Sequence, residues 1–148
     1  MTQSLYEAAG GMPALIALAH AWHERCLADE MMSHPFSHGF HPQHTERLAA
    51  YWAEALGGPA AYSGTMGNES SVLRTHAGNG EHQAMDDRAI ELFDLALDDT
   101  GLSANARVSD ALKNYFGWAT RRMGEYPRSP NDVPKGLPVA RFSWEGPI

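Results

Sequence analysis

Glycine stops cut this sequence into short lengths, and between them apolar residues return every three or four positions. The strongest stops are Gly10-Gly11, Gly57-Gly58-Pro59 and Gly78-Asn79-Gly80. A left-handed glycine ends a helix in a conformation other residues resist, and a proline after it cannot continue the helix. Between the stops, Leu15, Leu18, Ala19, Trp22 and Cys26 make one stripe of a helix running from Pro13 to about Ala28, with His23 on its core-side flank. A helix from Pro42 to Leu56 turns His44, Leu48, Tyr51, Trp52 and Ala55 inward and leaves Arg47 at the edge of that face. Ser70-Ser71 caps a short turn in which Val72, Leu73 and His76 share a face. Two further helices, about Ala84 to Leu97 and Ala104 to Met123, bury Met85, Ala89, Leu92, Phe93 and Ala96, then Val108, Leu112, Tyr115, Phe116 and Ala119. No alternating β-branched run lies between turn signals, so the fold class is all-α.

The intervals are equally informative. Asp29 to His41 holds Pro35, Gly39 and three histidines without a helical period, and reads as an interhelical loop anchored by Phe36 and Phe40. Periodicity is lost again after Tyr62 until about Ser70. Beyond Gly124, Pro127, Pro130, Pro134 and Pro138 forbid a helix. The expected organisation is a single domain over residues 1–125 and an extended tail over 126–148. Phe142 and Trp144 should pack that tail on the body or on a partner subunit, which admits a homodimer.

Composition excludes several classes. Eighteen acidic against eleven basic residues give a net charge of −7, the wrong sign for a chain that tracks nucleic-acid phosphates. No apolar run reaches the roughly 18–20 residues a bilayer requires. The start of the sequence lacks a basic, apolar leader, and the single Cys26 offers no internal disulfide, so the expectation is a cytoplasmic protein without membrane or nucleic-acid partners.

Histidine is the unusual residue. Six of eight, His20, His23, His34, His38, His41 and His44, fall within 25 positions, and His76 and His82 follow. Imidazole binds transition metals and titrates near neutrality, so a concentration of it points to metal or proton chemistry, although solvated loop histidines give the same count. His23, His44 and His76 stand apart because three different helices turn them toward the interior. Buried imidazoles without partners cost hydrogen bonds or lose basicity, so something polar should sit among them. Three readings follow: a metallocofactor between the helices, rings each satisfied by a backbone carbonyl, or a zinc or iron site at His34, His38, His41 and His44.

In order and spacing, Tyr6-Glu7-Ala8-Ala9-Gly10-Gly11, Leu27-Ala28-Asp29-Glu30 with Phe36, Arg47-Leu48, Gly57-Gly58-Pro59 with Tyr62, and Leu73-Arg74-Thr75-His76 resemble the truncated globins, in particular their second group. The resemblance runs from Tyr6 to about Met123. It implies a two-over-two helical sandwich around heme b, with His76 as the iron ligand. Phe36 corresponds to the aromatic residue that wedges the heme edge, and Arg47, Tyr62 and Arg74 to positions near the propionates. His44 and Leu48 correspond to distal positions, and His23 to one usually held by tyrosine. The pattern departs at that tyrosine, at the small distal residue replaced by His44, and at the distal tryptophan, which aligns with Ala89. Thr75 stands where a basic residue commonly precedes the iron ligand.

The resulting expectation is a heme protein whose histidine-rich pocket, lined by His23, His44 and Ala89, takes oxygen, nitric oxide, peroxide or an anion. Two imidazoles suit acid–base work on a peroxide or on oxygen near their ordinary pKa, in a peroxidase-like or nitric oxide dioxygenase-like reaction served by a separate reductase. A non-catalytic sensor or oxygen carrier is the alternative.

Overall fold

The computed structural model describes residues 3–37, 39–80 and 82–148, and among these seven α-helices build the fold. Helix α1 (Leu5–Ala9) is capped by the Ser4 hydroxyl, which accepts from the Glu7 amide at 3.1 Å. Gly10, at φ +109°, ends α1 and opens α2 (Gly11–Ala28). This helix starts two residues ahead of Pro13, because first-turn amides have no helical acceptor and a proline there forfeits nothing. Helix α3 (His44–Ala55) begins two residues after Pro42, in a turn where His41 Nδ1 accepts from the Gln43 amide at 2.9 Å. Helices α6 (Gln83–Asp99) and α7 (Ala106–Met123) complete the frame.

Helix α2 packs on α3 and α6, and α6 packs on α7, so two helix pairs lie one over the other. Aromatic rings fill the space between them. Phe93 and Phe116 stack at 4.1 Å, and Trp52 sets its edge against both at 5.7 and 6.1 Å. The stripes read from periodicity face this core, with two exchanges. Trp22 is only half-buried while His23 is buried, because the indole N–H reaches across to the Ala89 carbonyl at 3.1 Å. In α3, every residue from Ala49 to Ala55 is buried, Glu54 included, so its second half has no outer face.

Two helices differ from the sequence reading. Helix α4 (Ala61–Thr65) was not expected, since Ala-Tyr-Ser-Gly-Thr has no apolar period. Tertiary contact holds it: Ser63 donates its amide and hydroxyl to the buried Glu54 carboxylate at 2.8 and 2.6 Å. Helix α5 (Glu69–His76) is capped by Asn68, whose side chain accepts from the Ser71 amide at 2.8 Å, and not by Ser70-Ser71. That displacement frees Ser70, which is buried, for another use. Gly58 shows why the Gly-Gly-Pro stop lies where it does: a Cβ there would stand 2.7 Å from the Tyr6 ring.

The tail adds a two-residue antiparallel pairing, β1 (Phe142–Ser143) with β2 (Gly146–Pro147). Phe142 lies on Tyr115 and Trp118, and the Trp144 indole donates to the Gln3 carbonyl at 2.7 Å. Among the described residues, no helix is long and apolar enough to cross a membrane.

Candidate functional site

Four aromatic rings converge where α2, the following loop and α3 meet. His23 lies 4.7 Å from His44, 4.9 Å from Phe36 and 4.6 Å from Phe40, measured between ring centroids. The loop is aimed by Asp29, which accepts from the Met31 and Met32 amides and is gripped by Arg88 of α6 at 2.7 Å. Arg88 holds the Asp29 carboxyl below the usual carboxylate range. The chain is thereby turned so that Phe36 and Phe40 close over His23.

Neither ring nitrogen of His23 has a hydrogen-bond partner, and His44 Nε2 has none, although all three atoms are buried. Such atoms ordinarily find partners, so the aromatic cluster holds spare hydrogen-bonding capacity. Burial sets the charge state. Desolvation, and then the neighbouring His20, lowers the His23 pKa. Desolvation, and then His23, pushes His44 down to about 4. Both rings are therefore neutral at pH 7, each with one N–H to donate and one lone pair to accept. The expectation of titration near the ordinary histidine value is corrected to a more acid range.

His76, at the end of α5, is built differently: contrary to the expectation that its helix turns it toward the interior, it is exposed, because only Glu69, Ser70 and Leu73 of this short helix are buried. Its Nδ1 lies 2.8 Å from the Val72 carbonyl one turn earlier and can only donate to it, which leaves Nε2 as the lone-pair nitrogen. That arrangement orients an imidazole and selects its tautomer for metal ligation.

The other residues singled out by sequence take separate places. Arg47 donates to the Met66 carbonyl at 2.9 Å and lies 5.9 Å from the centre of the Tyr62 ring, so these two are neighbours. Tyr62 is buried edge-on to Tyr51 at 5.3 Å. Leu48 is half-buried against the main core, and Ala89 is buried. An indole does lie against Ala89, supplied by Trp22 of α2. Arg74 points elsewhere, toward the Val133 carbonyl of the tail at 3.4 Å. His34 and His41 join no metal-binding group: among the described residues no three His, Cys, Asp or Glu side chains converge to hold an ion, and His38 lies outside those residues.

A family model of bacterial-like globins matches residues 4–117. The chain belongs to the bacterial-like globin family. Solved structures agree. The hemoglobin of Chloroflexus aurantiacus superposes with a TM-score of 0.70 at 24% identity, covering 82% of this chain and 98% of that one. The group II truncated hemoglobin of Bacillus anthracis gives 0.74 at 16% identity, over 86% and 95%. The hemoglobin of Thermobifida fusca gives 0.67 at 25% identity, over 91% and 100%. No curated protein matched by sequence.

This globin is thus a heme-binding protein of the truncated fold, and its residues suit the group: an oriented imidazole at His76 and unpaired imidazoles at His23 and His44. Sequence reasoning noted Phe40 as an anchor and did not place it in the site. It missed Glu69 altogether. This carboxylate is only 1% exposed; Tyr51 Oη donates to it at 2.5 Å, Arg122 Nε at 3.3 Å and the Ala140 amide at 3.2 Å. An acidic residue in a helix's first turn looks like an ordinary dipole partner in sequence, and nothing there signals its burial.

Proposed function

We propose that this globin binds heme b through His76 Nε2 and uses His23 and His44 to hold a small polar ligand, namely oxygen, nitric oxide, peroxide or an anion. The observation that carries this reading is the set of three buried ring nitrogens without partners. Bound heme supplies an iron that takes such ligands and exchanges electrons with them. The chain supplies the rest. Phe36 and Phe40 exclude water around His23, which strengthens any hydrogen bond made there. As neutral rings, His23 and His44 can each donate a hydrogen bond to a ligand oxygen or accept one from a protonated ligand, and neither brings a charge into the cluster. Arg47, beside Tyr62 at the pocket edge, can exchange the Met66 carbonyl for a propionate, a charge-assisted bond worth about 1.5–3 kcal/mol. Turnover would draw electrons from a separate reductase. Without one, the same residues serve a carrier or sensor.

The test is hemin titration followed by rapid mixing of the ferric protein with peroxide, azide and cyanide. One-to-one uptake is expected, with rates changed at least tenfold in His23→Phe or His44→Phe. Identical rates in both variants would make the pair structural.

A further inference from the structure

The helix that carries His76 meets the main apolar core through the half-buried Val72 alone. Leu73, its one fully buried apolar side chain, forms a separate small cluster with Ala77 and Val133, flanked by Met123, Tyr126 and Leu137. Three of these partners, Tyr126, Val133 and Leu137, belong to the tail. An eight-residue helix cannot hold itself in water, so its position is set by what it packs against.

The polar contacts follow the same path. Ser70 donates its hydroxyl to the Pro134 carbonyl at 2.7 Å and accepts from the Leu137 amide at 3.1 Å. Arg74 reaches the Val133 carbonyl, and Glu69 accepts from the Ala140 amide. At the far end, the Gly78 and Gly80 amides donate to the Tyr126 and Pro127 carbonyls at 2.9 and 2.8 Å. Gly78 has φ +77°, and Pro130 lies so close that a Cβ would meet it at 3.1 Å. The tail therefore grips α5 at its first turn, its buried face and the loop after it.

We infer that residues 126–140 are a positioning element for His76, fixing the height and rotation of α5 and, through the Val72 carbonyl, the aim of the ring. This rests on the reading of His76 as the heme ligand. The match to the family model itself ends at residue 117, ahead of this segment. Ser70, Leu73 and Val133 are positioning residues, with no contact to the reacting atoms implied.

The experiment uses the full-length heme-loaded protein with Val133→Asp, the milder Ser70→Ala, and Val133→Ile as the conservative rescue. Three quantities are read: amide hydrogen exchange, the iron–histidine stretching band of the ferrous form, and heme transfer to an apo-globin acceptor. Val133→Asp should speed exchange of the Val72 to Ala77 amides at least tenfold while the middle of α7 stays protected. It should also shift or broaden the iron–histidine band and speed heme loss about tenfold. Ser70→Ala should move all three the same way by less, and Val133→Ile should restore them. Unchanged exchange in α5 overturns the inference, as does exchange that rises equally in α7, because the tail would then support the whole body. If α5 loosens while the band and heme loss stay fixed, the failure lies in the assignment of His76.

Discussion

The two histidine-bearing regions of this globin are specified by opposite means. Around His23 and His44 the surroundings are aromatic, and the polar atoms are left without partners. Around His76 nearly every polar group is engaged, from the ring nitrogen on Val72 to Ser70 and Glu69 on the tail. On the proposed function, the contrast separates two tasks. A ligating imidazole must be held at one angle, which hydrogen bonds do well because they are directional. A ligand-facing imidazole must keep its capacity for a group that arrives later, and an apolar wall positions it without consuming that capacity.

The most severe way to break this contrast is to remove the held histidine. His76→Ala should abolish stable heme uptake, or leave a weakly bound heme that added imidazole rescues, as read from the Soret band. A wild-type spectrum in that variant would remove His76 from the site.

Next in size is the buried carboxylate that ties α5 to α3, α7 and the tail. Glu69→Ala strands the Arg122 guanidinium and the Tyr51 hydroxyl, and should cost about 3–5 kcal/mol in denaturant unfolding. Burial already raises the Tyr51 and Tyr115 pKa values, so neither hydroxyl can ionise to relieve the loss. A cost under about 1 kcal/mol would show that the proximal side does not depend on its polar ties.

The smallest effect concerns pH. Unfolding returns His44 from about 4 to its ordinary 6.5, so the unfolded chain binds more protons between those values. Stability is therefore complete above about pH 6.5 and declines as pH falls toward 4. His23 acts in the same direction. The groups around the pair are His20 and Glu24 for His23, and His41, Arg47 and Glu46 for His44. Solvent screening reduces the contribution of His44 to on the order of 1–2 kcal/mol. His44→Phe should flatten the pH profile of unfolding in that window; a profile as steep as wild type would place the titrating groups elsewhere.

Much of this arrangement is legible one residue at a time. The spacing of Leu15, Leu18, Ala19 and Cys26, or of Val108, Leu112, Tyr115 and Phe116, determines a helix face because a buried stripe must repeat with the helical turn. The Gly-Gly stops follow from backbone geometry, and the inward turn of His23 follows from its place beside the stripe. The order of short motifs was enough to indicate a truncated globin.

Tertiary structure alone decided the rest. Helix α4 exists because Glu54, buried from another helix, receives Ser63. Asn68 caps α5, which leaves Ser70 to bind a segment more than sixty residues later in the chain. Glu69 is buried, and Arg74 turns to Val133, for the same reason: their partners are remote in sequence. Local periodicity records which face of an element avoids water, whereas hydrogen bonds between distant segments depend on where each segment ends in space, and no window of neighbouring residues carries that information.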